Sequence, residues 1–212
     1  MAVKGTSICS SAARAVSTWA KPDPEAMRRL YTERMILRPW IVADAEALYT
    51  YASDPHIGPA AGWMPHTSVA ESERVIRTLF SAPDTYAVTL RGDDRPIGCV
   101  NLLTGTNSNL PLEENEAEVG YWIGAPFQGR GLIPEAVEAL MTHAFADLGL
   151  AMLWCGHFDG NLASERVQAK CGFRHRRTET NRYVAPIDAF RTVHISSISR
   201  QEWQQRLSAR HH

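Results

Sequence analysis

Residues 118–135 read EVGYWIGAPFQGRGLIPE, and this stretch decides the fold. Its apolar start predicts a strand, and its end predicts the first turn of a helix. Between the two, Gly129 and Gly131 remove side chains where the backbone must bend and approach a ligand closely. Pro134 suits the first helical position, because its missing N–H costs nothing there. The free N–H groups and the helix dipole at such a turn would together bind a phosphate-bearing ligand.

On both sides of this stretch, strand patterns alternate with helix patterns. Asp44 can cap one helix, and Ser68 with Glu71 three residues later forms a capping-box pattern before another. Gly149 and Gly172 are typical helix stops. The predicted strands lie at residues 33–38, 85–90, 96–103, 116–123, 151–155, 173–178 and 191–198, and the predicted helices follow Asp44 and Ser68 and cover 134–148 and 161–170. This order predicts an α/β fold with a mixed central sheet flanked by helices.

Length and composition exclude several classes of protein. The 212 residues suffice for one domain, and a content of 44% hydrophobic and 21% charged residues is typical of a soluble globular protein. A net charge of −1 without a basic stripe argues against a nucleic-acid partner. No apolar run reaches the roughly 18 residues that a membrane span needs. We therefore expect a cytoplasmic protein that binds neither nucleic acid nor a membrane.

The first 30 residues differ from the rest. They are rich in Ala and Ser, and no acidic residue precedes Asp23. A transit peptide has such a composition, but the simpler expectation is an N-terminal extension over residues 1–30. Residues 31–208 then form the single domain.

The four cysteines are Cys9, Cys99, Cys155 and Cys171, without a C-x-x-C pair among them. Cys155, His157 and Cys171 are a conceivable metal set. Buried, reduced thiols of a cytosolic protein are the expectation here, and no metal is assigned.

Two standard phosphate motifs fail at the glycine turn. A dinucleotide fingerprint needs a third glycine where Pro134 stands, and a P-loop needs Gly-Lys-Ser/Thr. A glycine before a helix is also often a simple tight turn. A second cluster strengthens the ligand interpretation, because Asn161 begins a helix and Ser164 follows about one turn later. Asn161 can be an N-cap, a ligand contact, or both.

Together these motifs resemble the GNAT superfamily of N-acetyltransferases, in its branch of ribosomal-protein acetyltransferases of the RimJ/RimL type. The matching pieces are TER at 32–34, LRP at 37–39, GWMPHTS at 62–68, EVGYWI at 118–123, QGRGL at 128–132, NLAS at 161–164 and KCGF at 170–173. They span roughly residues 32–200 in the expected order, and ordered together they are specific. The resemblance implies a single GNAT-type domain and an acyltransferase that uses acetyl-CoA.

The resemblance also implies where acetyl-CoA binds. In that family a Q/R-x-x-G-x-G/A turn holds the CoA pyrophosphate through backbone N–H groups. The turn maps onto Gln128, Gly129, Arg130, Gly131, Leu132 and Ile133. Ile133 departs from the usual small residue, which a backbone contact tolerates. Arg130 is either a phosphate contact or a solvated surface charge.

Two further segments complete the expected cosubstrate site. Tyr121, Trp122 and Ile123, at the end of the preceding strand, would pair with the pantetheine arm as an added strand. Asn161 and Ser164 are also expected to contact the cosubstrate.

For catalysis, an amine must lose its proton before it attacks the thioester. Glu118 is the candidate general base, directly or through water, and Glu116 points to the same face of the strand. An exposed strand carboxylate is the alternative for either residue. Many relatives carry a tyrosine as the acid for the leaving thiolate where this chain has Gln168. Ser164 is then the candidate proton donor or thiolate-stabilising group.

The expected acceptor is a primary amine, most simply the N-terminal α-amine of a protein or peptide. The resemblance points there, and an α-amine with a pKa near 8 loses its proton more easily than lysine at about 10.4. Small amines such as polyamines or antibiotics are the alternative acceptors, and a non-catalytic acyl-CoA-binding module is the competing class. Acceptor contacts are expected from Trp63, His66 and residues 178–190. A second copy of the chain, in a homodimer, is a further candidate partner.

Overall fold

The computed structural model describes residues 28–210, so residues 1–27 of the expected extension lie outside the described part. Within these residues, eight strands form one sheet in the order β1-β2-β3-β4-β5-β6-β8-β7. The strands are β1 (Leu30–Tyr31), β2 (Met35–Pro39), β3 (Thr85–Leu90), β4 (Asp93–Leu103), β5 (Glu116–Ile123), β6 (Met152–Phe158), β7 (Arg174–Val184) and β8 (Ala189–Ser199). The helices are α1 (Ala45–Ala52), α2 (Gly58–Ala61), α3 (Val69–Thr78), α4 (Leu132–Thr142), α5 (Leu162–Cys171) and α6 (Arg200–Arg210). The predicted α/β fold with a mixed sheet flanked by helices is confirmed.

Helices cover both faces of the sheet. Alternate side chains of β5 point to opposite faces, so Ala117 and Val119 join the larger core, in which α4 packs. Trp122 points the other way and packs against the smaller core around α1, with Trp40 and Leu48. The two faces of β5 therefore pack against different helices, α4 on one side and α1 on the other.

The sheet opens between β5 and β6, its only parallel neighbours among the described strands. Their ladder has three residue pairs, which join Glu116–Glu118 to Met152–Trp154. Beyond these pairs, β5 continues along β4 as far as Ile123, and β6 continues along β8 as far as Phe158. One backbone edge of each strand therefore faces a gap, and backbone N–H and C=O groups on such an edge remain available to a ligand.

Helix α4 differs from its prediction. It begins at Leu132, so Pro134 is its third residue and not its first. The third N–H of a helix is also without an intrahelical partner, which is why proline fits there as well. After Thr142 the chain continues as a π-helical turn, His143–Asp147.

The two predicted caps have different outcomes. The Ser68 side chain accepts a hydrogen bond from the Glu71 N–H at 3.1 Å, as predicted. Asp44 is the N-cap residue of α1, as predicted, but its carboxylate makes no capping hydrogen bond to that helix. The carboxylate accepts hydrogen bonds from the Arg38 guanidinium at 2.7 and 2.8 Å and from the Ile41 N–H. Its oxygens are therefore occupied by a buried ion pair and by the turn before the helix.

The end of the chain holds more structure than the sequence predicts. Strands β7 and β8 extend to Val184 and Ala189 and form a long hairpin, and α6 follows them. The charged edge strand β7 lacks the alternation of apolar and polar residues that identifies a strand. Within residues 28–210, no helix has the length and apolarity that crossing a membrane requires.

Candidate active site

The glycine turn leads directly into α4. Gly129 and Gly131 have φ angles of 71° and 73°, in the left-handed region that favours glycine, and Gly131 is the N-cap of the helix. A Cβ atom at Gly129 would meet no other atom within 4 Å. The first N–H groups of the 11-residue helix have no intrahelical partner, so the turn presents donors and the positive end of the helix dipole to an anion.

Arg34 and Glu135 hold this turn in place. The Arg34 guanidinium donates to the carbonyl oxygens of Arg130 and Gly131 at 3.0 and 3.2 Å. Glu135 accepts hydrogen bonds of 2.6 Å from Arg34 Nε and from Thr32 Oγ1. Although burial would raise the pKa of Glu135, these hydrogen bonds lower it below its usual range. Sequence reasoning missed this contact, because Arg34 and the turn lie almost 100 residues apart.

Side chains of the turn point in several directions. Leu132 and Ile133 are buried in the core, so only their backbone faces a ligand. Gln128 donates to the Ile123 carbonyl at 3.4 Å and joins the turn to the end of β5. Arg130 is exposed, and its guanidinium carbon lies 5.7 Å from the centre of the Phe127 ring.

Next to the turn, residues 121–123 form the part of β5 that borders the gap. The Ile123 side chain is buried in the core, while Trp122 lies edge-on to Trp63 with ring centres 6.0 Å apart. Trp63 in turn lies 5.4 Å from the His66 ring. Burial lowers the pKa of His66, so this ring is neutral at physiological pH.

Tyr121 brings a hydroxyl group that the sequence analysis did not assign. Its oxygen lies 2.8 Å from Ser164 Oγ, and it also donates to the Ser164 carbonyl at 3.2 Å. Burial raises the pKa of Tyr121 well above its usual range, so the phenol keeps its proton. Because 43 residues separate the two, no local motif could have identified the pair.

Asn161 is the N-cap of α5, as predicted. Its Oδ1 accepts from the Ser164 N–H at 3.1 Å, and its Nδ2 donates to the Ala60 carbonyl at 3.2 Å. The side chain thus fastens the start of α5, and with it Ser164, to helix α2.

Gln168 lies one helical turn after Ser164 and is almost fully buried, with 2% of its surface exposed. Its Oε1 is 3.2 Å from Nδ1 of His157, and its Nε2 has no hydrogen-bond partner among the described residues. Burial lowers the pKa of His157, so the neutral ring donates to the amide.

Glu118 lies on the opposite face of β5 from Tyr121, because three positions separate them. Its carboxylate is held by Ser108 Oγ at 2.8 Å and by the N–H of Asn109 at 2.6 Å. The Arg182 guanidinium donates to the Asn109 carbonyl and thereby ties this loop to strand β7. Glu116, on the same face as Glu118, accepts from the indole N–H of Trp154 at 2.9 Å.

The structure therefore arranges the predicted residues in three places. The turn at 128–133 lies beside the free edge of residues 121–123, Ser164 lies with Tyr121 on the α4 face, and Glu118 lies on the α1 face. No group of three metal-ligating side chains converges within the described part of the chain.

Comparison with known proteins gives a consistent result. The sequence profile described as Acetyltransferase (GNAT) domain matches residues 34–174. An uncharacterized N-acetyltransferase, p20, from Bacillus licheniformis is 30% identical over 129 residues, which cover 58% of this chain and 70% of the relative.

The solved structures with the same fold include two named acetyltransferases. RimJ of Mycobacterium smegmatis, in complex with CoA-disulfide, has a TM-score of 0.68 at 22% identity, over 84% of this chain and 90% of that one. The ribosomal-protein-S5-alanine acetyltransferase of Vibrio fischeri has a TM-score of 0.65 at 19% identity, over 83% and 98% of the two chains.

Proposed function

The chain belongs to the GNAT family of acetyltransferases, and from this membership we propose that it transfers the acetyl group of acetyl-CoA to the N-terminal α-amine of a protein or peptide. One observation carries the proposal. The gap between β5 and β6 continues into a glycine turn at the start of α4, which suits a long ligand that ends in phosphates.

In this proposal the CoA pyrophosphate binds the backbone N–H groups of residues 128–133. The left-handed glycines of that turn leave room for close approach, and Arg34 holds the turn through hydrogen bonds to two of its carbonyl oxygens. The pantetheine arm pairs with the free edge of residues 121–123 as an added strand. This route leads the thioester through the gap, between Glu118 on one face and Ser164 on the other.

Each face of β5 then carries one of the two proton transfers. Acetyl-CoA supplies an acetyl group activated as a thioester. Glu118 takes a proton from the acceptor ammonium, directly or through water, so that the amine can attack the thioester carbonyl. As the carbon–sulfur bond breaks, the Ser164–Tyr121 pair donates a proton to the thiolate. Tyr121 suits this role because it holds its proton at neutral pH.

The nature of the acceptor is supported by chemistry and by a structural neighbour. An α-amine has a pKa near 8, so roughly a tenth of it is neutral at pH 7 and a weak base such as a carboxylate suffices. The neighbour from Vibrio fischeri is named for an alanine of a ribosomal protein.

The first experiment is a calorimetric titration with acetyl-CoA, followed by mass spectrometry of alanyl peptides and of small amines incubated with the enzyme. We expect binding at one site and one added acetyl group on the peptide α-amine. The variant Gly131→Asp should abolish binding, because it places a negative charge beside the pyrophosphate.

Gly92→Asp is the matched control. Gly92 is also left-handed, with φ of 86° and free space around it, but it lies in the turn between β3 and β4. Equal affinity of the two variants would remove the glycine turn from the site. Acetylation of spermidine but not of the peptide would favour a small-molecule acceptor, and binding without any transfer would favour a binding module.

A further inference from the structure

Asn101 and Gly120 face each other across β4 and β5. A Cβ atom at position 120 would lie only 2.3 Å from Asn101 Oδ1. Real Cβ atoms do not approach an oxygen so closely, so glycine at position 120 is what allows the Asn101 amide to lie across the neighbouring strand.

The side-chain oxygen of Asn101 is unpaired. Asn101 Oδ1 is buried and has no hydrogen-bond partner among the described residues. Burying an unpaired carbonyl oxygen costs stability, so buried oxygens in proteins usually have a protein group, a water or a ligand as their partner. The residue as a whole is half-buried, so some of its atoms are accessible from outside.

The surroundings of the amide are those of the proposed acceptor site. Glu118 and Trp122 lie two residues before and after Gly120, so both point to the face on which Asn101 lies. The indole of Trp122 contacts Trp63. Asn101 therefore sits between the proposed base and a pair of aromatic rings.

We propose that Asn101 binds the peptide group that follows the acceptor's α-amine and so selects peptide N-termini over simple alkylamines. An asparagine amide offers a carbonyl oxygen as acceptor and an NH2 group with two donors, and a peptide group offers the complementary N–H and C=O. An alkylamine has no polar group beyond its amino group. If Oδ1 and Nδ2 of Asn101 exchange places, the buried position holds N–H donors instead of an acceptor. A peptide group can pair with either, through its N–H or its C=O.

The spacing supports this assignment. Diagonal cross-strand neighbours such as Asn101 and Glu118 are about 7–8 Å apart. A residue of extended peptide spans about 3.3–3.6 Å, so side chains that converge from these two positions can contact an amine and the next peptide group. The inference rests on the proposed function, since it assigns a role in acceptor binding at the same site.

The test compares an alanyl-alanine amide with butylamine as acceptors. Asn101→Leu removes the amide at nearly constant size, and Gly120→Ala displaces it without changing Asn101. Loss of a hydrogen bond between neutral groups should raise KM for the dipeptide about 3- to 10-fold in both variants. The values of kcat/KM for butylamine and the affinity for acetyl-CoA should change less than two-fold. Asn115→Leu, at an exposed asparagine before β5, is the matched control.

Equal losses for the two acceptors, or none, would overturn the inference while leaving acetyl transfer intact. Absence of transfer to either amine by the wild type would refute the proposed function instead. In that event, calorimetry of the dipeptide amide with the CoA-loaded protein decides the inference. Weaker binding by Asn101→Leu supports it, and equal binding overturns it.

Discussion

Glu118 is a buried carboxylate whose orientation is fixed by its neighbours. It is 8% exposed, and Ser108 and Asn109 donate hydrogen bonds to it. Because the loop that carries these donors is itself tied to Arg182, the carboxylate has little freedom to change its orientation on β5. Such an arrangement suits a group that must meet one proton at one position.

We therefore expect Glu118→Gln to lower kcat about 100-fold or more at pH 7, with little change in the affinity for acetyl-CoA. A carboxamide of the same size cannot take the proton of the ammonium. The loss should shrink above pH 8, where an α-amine is already neutral without a base. Steady-state rates between pH 6 and 9.5 measure this profile.

Glu116→Gln is the control for that experiment, because Glu116 lies on the same face but is bonded to Trp154. A loss of equal size in both variants, or one that is constant across the pH range, would place the base elsewhere.

At the residue scale, what the sequence predicts is what local chemistry determines. The cap at Asn161 follows from its own position before a helix. The Tyr121–Ser164 pair, by contrast, forms only when β5 and α5 are brought together by the whole fold. Alternation along β5 places Tyr121 on the face opposite to Glu118, but it does not say which helix covers that face.

At the scale of elements, His143 joins the end of α4 to the start of β3. Its Nε2 lies 3.0 Å from Asp84 and its Nδ1 2.9 Å from Asp147. The hydrogen bond to Asp84, together with Asp147, raises the pKa of His143 even though burial opposes this. The folded protein therefore binds this proton more tightly than the unfolded chain does.

The stabilisation from this bridge should be complete below pH 6.5, the ordinary histidine pKa, and should fade as the pH rises through the raised value. We expect His143→Gln to cost about 1–2 kcal/mol at pH 5.5, after allowance for the exposure of Asp147. For a chain of this size that is a fall in Tm of roughly 2–8 °C. Thermal melts at pH 5.5 and pH 9 measure the difference, which should be smaller at the higher pH.

His175→Gln is the matched control for a histidine outside this bridge, since His175 is exposed and lies on β7. A difference in Tm between wild type and His143→Gln that stays constant with pH, or that grows toward pH 9, would contradict the bridge.

Strands and helices were predictable where their apolar residues recur at a regular spacing. Strand β5 has the predicted bounds of Glu116 and Ile123, because apolar residues recur at every second position along it. Strand β7 extends six residues beyond its predicted end at residue 178, because a charged edge strand is stabilised by its partner and not by its own pattern.

At the scale of the whole molecule, the sheet consists of two parts that share few backbone bonds. Strands β1 to β5 form one part, and β6, β8 and β7 form the other. They meet through three residue pairs and through the helices that pack across them. No local sequence pattern predicts this opening, because it depends on where β5 and β6, which are distant in the sequence, stop pairing.

A ligand in that opening would bridge the two parts, so CoA should stabilise the whole fold. At 100 times its Kd, a ligand that binds only the folded state adds about 2.7 kcal/mol. For a domain of this size we expect Tm to rise by roughly 5–11 °C, as measured by calorimetry. The Tm of Gly131→Asp should not rise when CoA is added.

Amide hydrogen exchange at residues 119–123 should also slow when CoA binds, because the N–H groups on the free edge of β5 gain a partner. Slower exchange at residues 128–133 alone would mean that CoA binds the turn without pairing with the strand, and an unchanged Tm would mean that the opening does not hold CoA.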